Sequence, residues 1–454
     1  MNDDVRSLAA LAIESSFGPD VAFTPTRPAA DTAFSGSVVL ELRVFGPNLE
    51  SNEFNESRES IAHNEPNVSS ESSAHNEPNE PNKPTEPNKP TEPTEPTEPN
   101  KPNEPNGTAV NVVLKHSCVR VLELEEDCGA EKREKTEKTD KSSVNECAFL
   151  QLYSSKLPPS TVPIPSTLYT KIHPTLGVTL LMSSHSSFQQ LPVVPLGPRT
   201  TATLKWLANF HATFLQSRPS PISLKPLSES GGWDSGTHLC LSKRPPKEID
   251  TLAEDLTNFA ERFKDHHPYF NSPRARSQPD RGVVAAARKA SEYLSSPTHP
   301  HLTMVHGDYK SGNFFYDPSD PSYVSVIDWQ WTGPGVPSTD LIYLCVMALS
   351  DEACGDYESN VLRPYHGFLA EALPSGVRYP YRELVDEFKI AAVDFHRWLA
   401  TSRTRTMTVE SMGKSRDNVD VNHGIWRRSI ERIAWLWKLV DEALDDIDKG
   451  VLKI

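Results

Sequence analysis

Hydrophobic and polar positions change their rhythm along this chain. Val38 to Val44 and Ala109 to Lys115 are short runs rich in β-branched residues and predict strands. Thr167 to Tyr169 and Gly177 to Met182 predict two more. A helix is predicted ahead of them, from Val5 to Glu14, with a turn through Gly18-Pro19-Asp20. Another, from Ser143 to Tyr153, falls among the strands; Ser143 and Glu146 have the spacing of a capping box, and Phe149, Leu150 and Tyr153 share a face with Glu146. Beyond Pro198 the period lengthens. Thr201 to Leu215, Glu248 to Phe263, Gly282 to Leu294, Val361 to Leu373, Tyr381 to Ser402 and Gly424 to Leu444 all carry apolar residues at helical spacing. A strand-rich part therefore precedes a larger helical one.

Two stretches break the pattern. From Pro47 to Gly107 there is almost nothing to bury: ESIAHNEPN at residues 59–67 nearly repeats at 71–79, and from Pro78 to Pro105 every third residue is proline. Three residues per turn is the polyproline II period, so this segment reads as an extended rod of roughly 80 Å, solvated and without a core. It is expected to be a disordered, low-complexity insertion without catalytic role, or else a docking site for a proline-recognising domain on residues 78–105. Sequons at Asn55, Asn67 and Asn106 lie at its edges and read as chance matches. Residues 125–141 form a second, charged insertion, read as a solvated helix extension or loop.

Charge and cysteine content narrow the classes. Over 454 residues the formal net charge is -15, which argues against nucleic acid or an anionic membrane as partner. No run approaches the roughly 20 apolar residues of a membrane span, and the acidic start does not read as a signal peptide, so the expected location is cytoplasmic. Six cysteines lie far apart with no C-x-x-C, which indicates neither a zinc site nor a disulfide framework.

The chemistry concentrates between Thr303 and Leu344. Two apolar runs, Thr303 to Val305 and Tyr323 to Ile327, each predict a strand that ends on polar residues. The first is followed by His306-Gly307-Asp308 and, five residues after Asp308, by Asn313. The second delivers Asp328. Phosphoryl transfer needs a carboxylate to take a proton from the attacking hydroxyl, which Asp308 can supply. It also needs hard oxygen ligands for Mg²⁺, which Asn313 and Asp328 can supply. Downstream, Gly333 and Gly335 allow a tight loop, and Ser338-Thr339-Asp340 reads as the cap of a helix through Leu349. His211 reads as a packed helix residue. Phe395, Trp398, Trp426, Trp435 and Trp437 read as core, with an aromatic cage for a quaternary ammonium as the alternative.

The H-G-D-x4-N pattern of His306 to Asn313 resembles the aminoglycoside phosphotransferase and choline kinase superfamily, and I-D-W-Q-x4-G-x4-D-L from Ile327 to Leu341 resembles its ecdysteroid-kinase-like branch. The resemblance implies an α+β, bilobal protein-kinase-like fold: a small antiparallel nucleotide-binding lobe over residues 1–186, interrupted by the two insertions, and a mostly helical lobe over 187–454. It implies ATP and Mg²⁺ as cofactors and a small hydroxyl-bearing molecule as acceptor. By the same resemblance Lys115 would hold the α- and β-phosphates with Glu146 as its ion-pair partner, and Ser35, Gly36 and Ser37 would cover the phosphates. Met182 to Ser184 would be the adenine hinge, Lys310 would neutralise the transferring phosphoryl group unless it is a surface lysine, and Asp340 would brace the catalytic region. The alternative is a catalytically silent nucleotide-binding scaffold that uses its proline-rich segment.

Overall fold

The alternating runs of the first part become one antiparallel sheet. This computed structural model describes residues 3–17, 21–28, 37–46, 108–117, 130–173 and 177–454. The strands are β1 (Ala22–Pro28), β2 (Ser37–Gly46), β3 (Thr108–Ser117), β4 (Thr167–His173) and β5 (Gly177–Ser183), in the order β1-β2-β3-β5-β4. β1, with prolines at both Pro25 and Pro28, carries little strand signal; it survives as an edge strand, bulged between Pro25 and Arg27. β2 and β3 pair without interruption from Ser37↔Ser117 to Gly46↔Thr108, so residues 47–107 leave and re-enter the sheet at directly opposed positions. That segment, with its proline rod and sequons, lies outside the described residues, as do the turn at 18–20, Ser35, Gly36, Cys118 and Cys128.

Strand parity decides what each face of the sheet meets. Leu40, Leu42, Val44, Val112 and Leu114 are buried against α1 (Asp3–Phe17) through Ala9, Ala12 and Ile13. Each such side chain fully removed from water stabilises by about 1.5–3 kcal/mol. Lys115 has the opposite parity and faces α2 (Ala130–Tyr153). That helix begins well before Ser143, so the capping-box reading fails. Residues 130–141 of the charged run belong to this helix, with Glu137 four residues before Lys141.

The second part is helical apart from two small ribbons. Its main helices are α3 (Pro198–Phe214), α4 (Leu252–Phe263), α5 (Val283–Leu294), α6 (Pro337–Met347), α7 (Arg363–Ala372), α8 (Tyr381–Trp398) and α9 (Ile430–Asp448). The ribbons pair β6 (Thr303–Val305) with β9 (Gly333–Gly335), and β7 (Phe314–Tyr316) with β8 (Val324–Val326). Gly333 and Gly335 thus form a strand, contrary to the loop expected of them. Their missing side chains serve close packing: a Cβ on Gly333 would lie 2.8 Å from the Gly236 nitrogen, and one on Gly335 2.9 Å from Val305. α8 runs on into a π-helical turn, Leu399–Thr404. Cys147, Cys240, Cys345 and Cys354 are buried free thiols. Among the described residues no helix is long and apolar enough to cross a membrane.

His396 on α8 lies wholly in this core, bonded through Nε2 to Gln278 at 2.9 Å, edge-on to Trp437, with Nδ1 unpartnered. Burial pushes its pKa down to about 3. A folded value below the unfolded one of about 6.5 means that the unfolded chain binds the extra proton as pH falls below 6.5. His396 should therefore destabilise the protein by about 1 kcal/mol between pH 6.5 and 5.5. Urea unfolding at both pH values should show this increment in the wild type and its loss in His396→Gln; identical pH dependence in the two would count against a buried neutral His396.

Candidate active site

The residues singled out between Thr303 and Leu344 fold into one cluster around the ends of the two ribbons. β6 ends at Val305, and the chain turns sharply through Gly307, whose φ is +80°. A Cβ there would lie 2.2 Å from the Trp331 carbonyl oxygen and 2.7 Å from the Thr237 nitrogen, so neither a left-handed backbone nor the space admits another residue. His306 locks the turn from within. Its Nδ1 accepts the Asp308 N–H at 3.3 Å and its Nε2–H reaches the Ile327 carbonyl at 3.0 Å, tying the loop to the strand that delivers Asp328. Burial keeps this histidine below its ordinary pKa and hence neutral.

Asp340 holds the turn from without. Its buried carboxylate accepts the backbone N–H groups of His306 at 2.7 Å and Gly307 at 2.9 Å, and His211 Nε2 at 3.1 Å. His211 is in turn held by the Tyr365 hydroxyl at 2.7 Å. Asp340 is therefore not a helix cap: α6 starts at Pro337 with no side-chain cap. The packed-helix reading of His211 holds, and its second-layer role is visible only in three dimensions.

Asp308 is engaged on both oxygens, by Lys310 Nζ at 2.6 Å and by the Tyr343 hydroxyl at 2.6 Å. Lys310 is no surface lysine. Burial alone would lower its pKa, yet the charges of Asp308 and Asp328 raise it, so it stays protonated. Burial, followed by Asp308, pushes the Tyr343 hydroxyl well above its usual range, which keeps it a donor. Asn313 lies in a tight 3₁₀ turn, its Nδ2 donating to the Asp308 carbonyl at 2.8 Å and its own carbonyl accepting Ile327 N–H. Asp328 sits in left-handed backbone, φ +73°, with Oδ1 buried and unpartnered.

The sheet reaches this cluster through α2. Lys115 Nζ meets Glu146 Oε2 at 2.5 Å. Burial works against the ammonium, but the Glu146 and Asp328 carboxylates outweigh it and raise the Lys115 pKa. Asn145, beside Glu146, donates through Nδ2 to the carbonyls of Trp329 and Thr332, both at 2.9 Å, and accepts Trp233 N–H at 2.8 Å. Phe149, one turn on, stacks on Trp329 at 4.2 Å. α2 is thus bolted to the loop that follows Asp328.

The structure brings Lys115, Glu146, Asp308, Lys310, Asn313 and Asp328 into one cluster. Ser37 only opens β2, opposite Ser117, while its neighbours Ser35 and Gly36 lie outside the described residues. At Met182 to Ser184 the N–H groups of Ser183 and Ser184 are already spent on the Ser166 and Asn111 carbonyls, so they are not free for a base. Asn145 and Tyr343 were missed; at helical spacing a tyrosine in PSTDLIYL reads as core, and nothing local marks its hydroxyl.

Asn313 and Asp328 offer hard oxygens, and an unpartnered buried carboxylate oxygen is costly without a cation, so this set fits Mg²⁺. A second cluster, His299, His301 and Glu387, has metal-ligand spacing. Two of its members are bound to each other: Glu387 binds His301 at 2.6 Å and the Tyr379 hydroxyl, while His299 Nδ1 accepts the His301 N–H at 3.0 Å and its buried Nε2 has no hydrogen-bond partner.

Carboxylates held against lysines in this way are an arrangement that phosphoryl transfer can use. The model of the Phosphotransferase enzyme family matches residues 145–376, just over half the chain, and the chain belongs to that family. Among solved structures it is similar to a spectinomycin phosphotransferase in complex with ADP and spectinomycin (10% identity, 97% of this chain and 98% of that one, TM-score 0.40). It is also similar to the GDP complex of an aminoglycoside 2'-phosphotransferase (12%, 75% and 89%, 0.37) and to a choline kinase from Streptococcus pneumoniae (14%, 73% and 86%, 0.35). These likenesses are distant, and the assignment rests on the family match. No curated protein sequence matches the chain.

Removing the Asp340 carboxylate would strand two buried N–H groups and His211. Asp340→Ala should cost about 3 kcal/mol or more. Denaturant unfolding measures this, and a cost below about 1 kcal/mol would show that the turn holds itself.

Proposed function

We propose that this protein is an ATP- and Mg²⁺-dependent kinase that phosphorylates a hydroxyl group of a small molecule. The observation that carries this is the Asp308 carboxylate, flanked by Lys310 and Tyr343, together with the unpartnered carboxylate oxygen of Asp328, whose charge also acts on Lys310. The family match supports the reaction class, and the Ile327 to Leu341 pattern supports the ecdysteroid-kinase-like branch.

Each residue has a task that its surroundings fit. Asp308 takes the acceptor's proton as the acceptor oxygen bonds to the γ-phosphorus. The bond to the β–γ bridging oxygen breaks, and its electron pair leaves with ADP. Tyr343, donating to one oxygen of Asp308, orients the other toward the acceptor. Lys310 loses its anionic partner as Asp308 is protonated, and its ammonium turns to the transferring phosphoryl group. Lys115, aimed by Glu146, holds the α- and β-phosphates. Asn313 and Asp328 would hold Mg²⁺, which neutralises the phosphate oxygens.

With labelled ATP and a metabolite extract, Asp308→Asn should lower transfer by about 10²–10⁴-fold. Asp328→Ala should abolish the Mg²⁺ dependence along with the activity. Unchanged labelling by both variants would refute the mechanism. Lys115→Ala should raise the KM for ATP and, because it leaves the buried Glu146 carboxylate without its ion-pair partner, cost about 3 kcal/mol of stability without unfolding the protein. A collapsed fold would assign Lys115 a structural role.

A further inference from the structure

Next to Asp308, on the side of Tyr343, the structure gathers positive charge that the transfer chemistry does not use. The His238 ring packs among Trp331 at 5.3 Å, Tyr343 at 5.9 Å and Trp398 at 5.1 Å, with a buried Nδ1 that has no partner. Over the face of that same Trp398 lies the guanidinium of Arg403, 5.1 Å from the ring centre and exposed to solvent. Arg403 is presented by the π-helical turn Leu399–Thr404, a local distortion often found where a helix serves a function. Arg427 covers Trp426 in the same way at 4.7 Å.

Neither arginine has a carboxylate within ion-pair distance among the described residues. Their neighbours differ: Arg397 is paired with Asp394 and Glu248, Arg244 with Glu248, and Arg405 with Asp255. The two unpaired charges also act on each other and on the catalytic turn. After burial, Arg403 is what lowers the pKa of Arg427 and of His238, and it opposes the Lys310 ammonium as well. Arg403 thus bears on a buried neutral histidine on one side and on Arg427 on the other, a repulsive arrangement that an anion would relieve. The 420s segment itself abuts the catalytic loop: a Cβ on Gly312 would lie 2.2 Å from Asn422 Oδ1.

The same contacts disfavour the opposite charge at these faces. A quaternary ammonium needs an open aromatic face or a free carboxylate. Here Trp398 and Trp426 are covered by arginines and Trp233 by Lys141 and Lys243.

We propose that the acceptor is an anionic alcohol, bearing a carboxylate or a phosphate ester, whose charged group is held by Arg403 together with Arg427 while its hydroxyl reaches Asp308. This rests on the kinase reading of the Asp308 site and adds the class of its substrate.

The test uses the full chain with Mg²⁺ and labelled ATP. A small-molecule extract is separated by ion exchange into anionic, neutral and cationic pools. Label should enter the anionic pool. Phosphatase treatment of that pool beforehand separates the two sources: the acceptor is lost if it is a phosphate ester and kept if it is a carboxylate. Arg403→Gln should raise the KM for the labelled acceptor about tenfold or more while the KM for ATP moves less than twofold; Arg405→Gln, two residues away and paired with Asp255, serves as the control and should change neither. Label confined to the neutral or cationic pool, or an Arg403→Gln effect confined to ATP, overturns the anionic acceptor but leaves the kinase reading standing. No label in any pool removes both.

Discussion

A single buried carboxylate decides whether this molecule has a site at all. Asp340 accepts the two N–H groups of the His306-Gly307 peptide turn, which no strand or helix satisfies, and does so where water cannot substitute. With those groups paired, the chain can leave β6, reverse through a left-handed glycine and present Asp308 beside the strand that ends at Asp328. His306 repeats the device one layer further in, spending both ring nitrogens on backbone. Two polar side chains thus do work that a longer stretch of regular structure would otherwise have to do.

The site also depends on joining the sheet to the helical part. The Lys115–Glu146 pair is the part of this junction that would face a nucleotide, but the mechanical connection is next to it. Asn145 satisfies two carbonyls and one N–H of segments that otherwise have no reason to stay in register with α2, and Phe149 stacks on the tryptophan after Asp328. A lysine anchored this way moves with the Asp328 carboxylate, so the distance between the two charges is fixed by packing and not by their mutual attraction.

The sequence made the His306 to Asp308 turn and most elements legible because both obey local rules. Strand period, helix period and the Asp308, Asn313 and Asp328 spacing are properties of neighbouring residues. What it concealed was set by distant contacts. The Ser143–Glu146 spacing imitates a helix start, but the charged run before it is itself helix-forming. Asp340 looks like a cap because its acceptor capacity is used on residues more than thirty positions away. Gly333 and Gly335 look like turn residues, whereas the need is for two backbones to approach. β1 was invisible because an edge strand tolerates prolines that a central one would not. Tyr343 and Asn145 sit at ordinary helical positions, and their importance lies only in what folds against them.

The uninterrupted pairing of β2 with β3 up to Gly46↔Thr108 bears on how this gene product can vary. Because the strands are already closed against each other at that point, the chain between residues 47 and 107 imposes no geometry on the sheet beyond joining its two ends. Loop-closure entropy rises only logarithmically with length, about 0.6 kcal/mol for each doubling. Gain or loss of a three-residue or twelve-residue repeat there is therefore close to neutral for folding. Selection on the rest of the molecule would neither remove such length changes nor hold them at any one value.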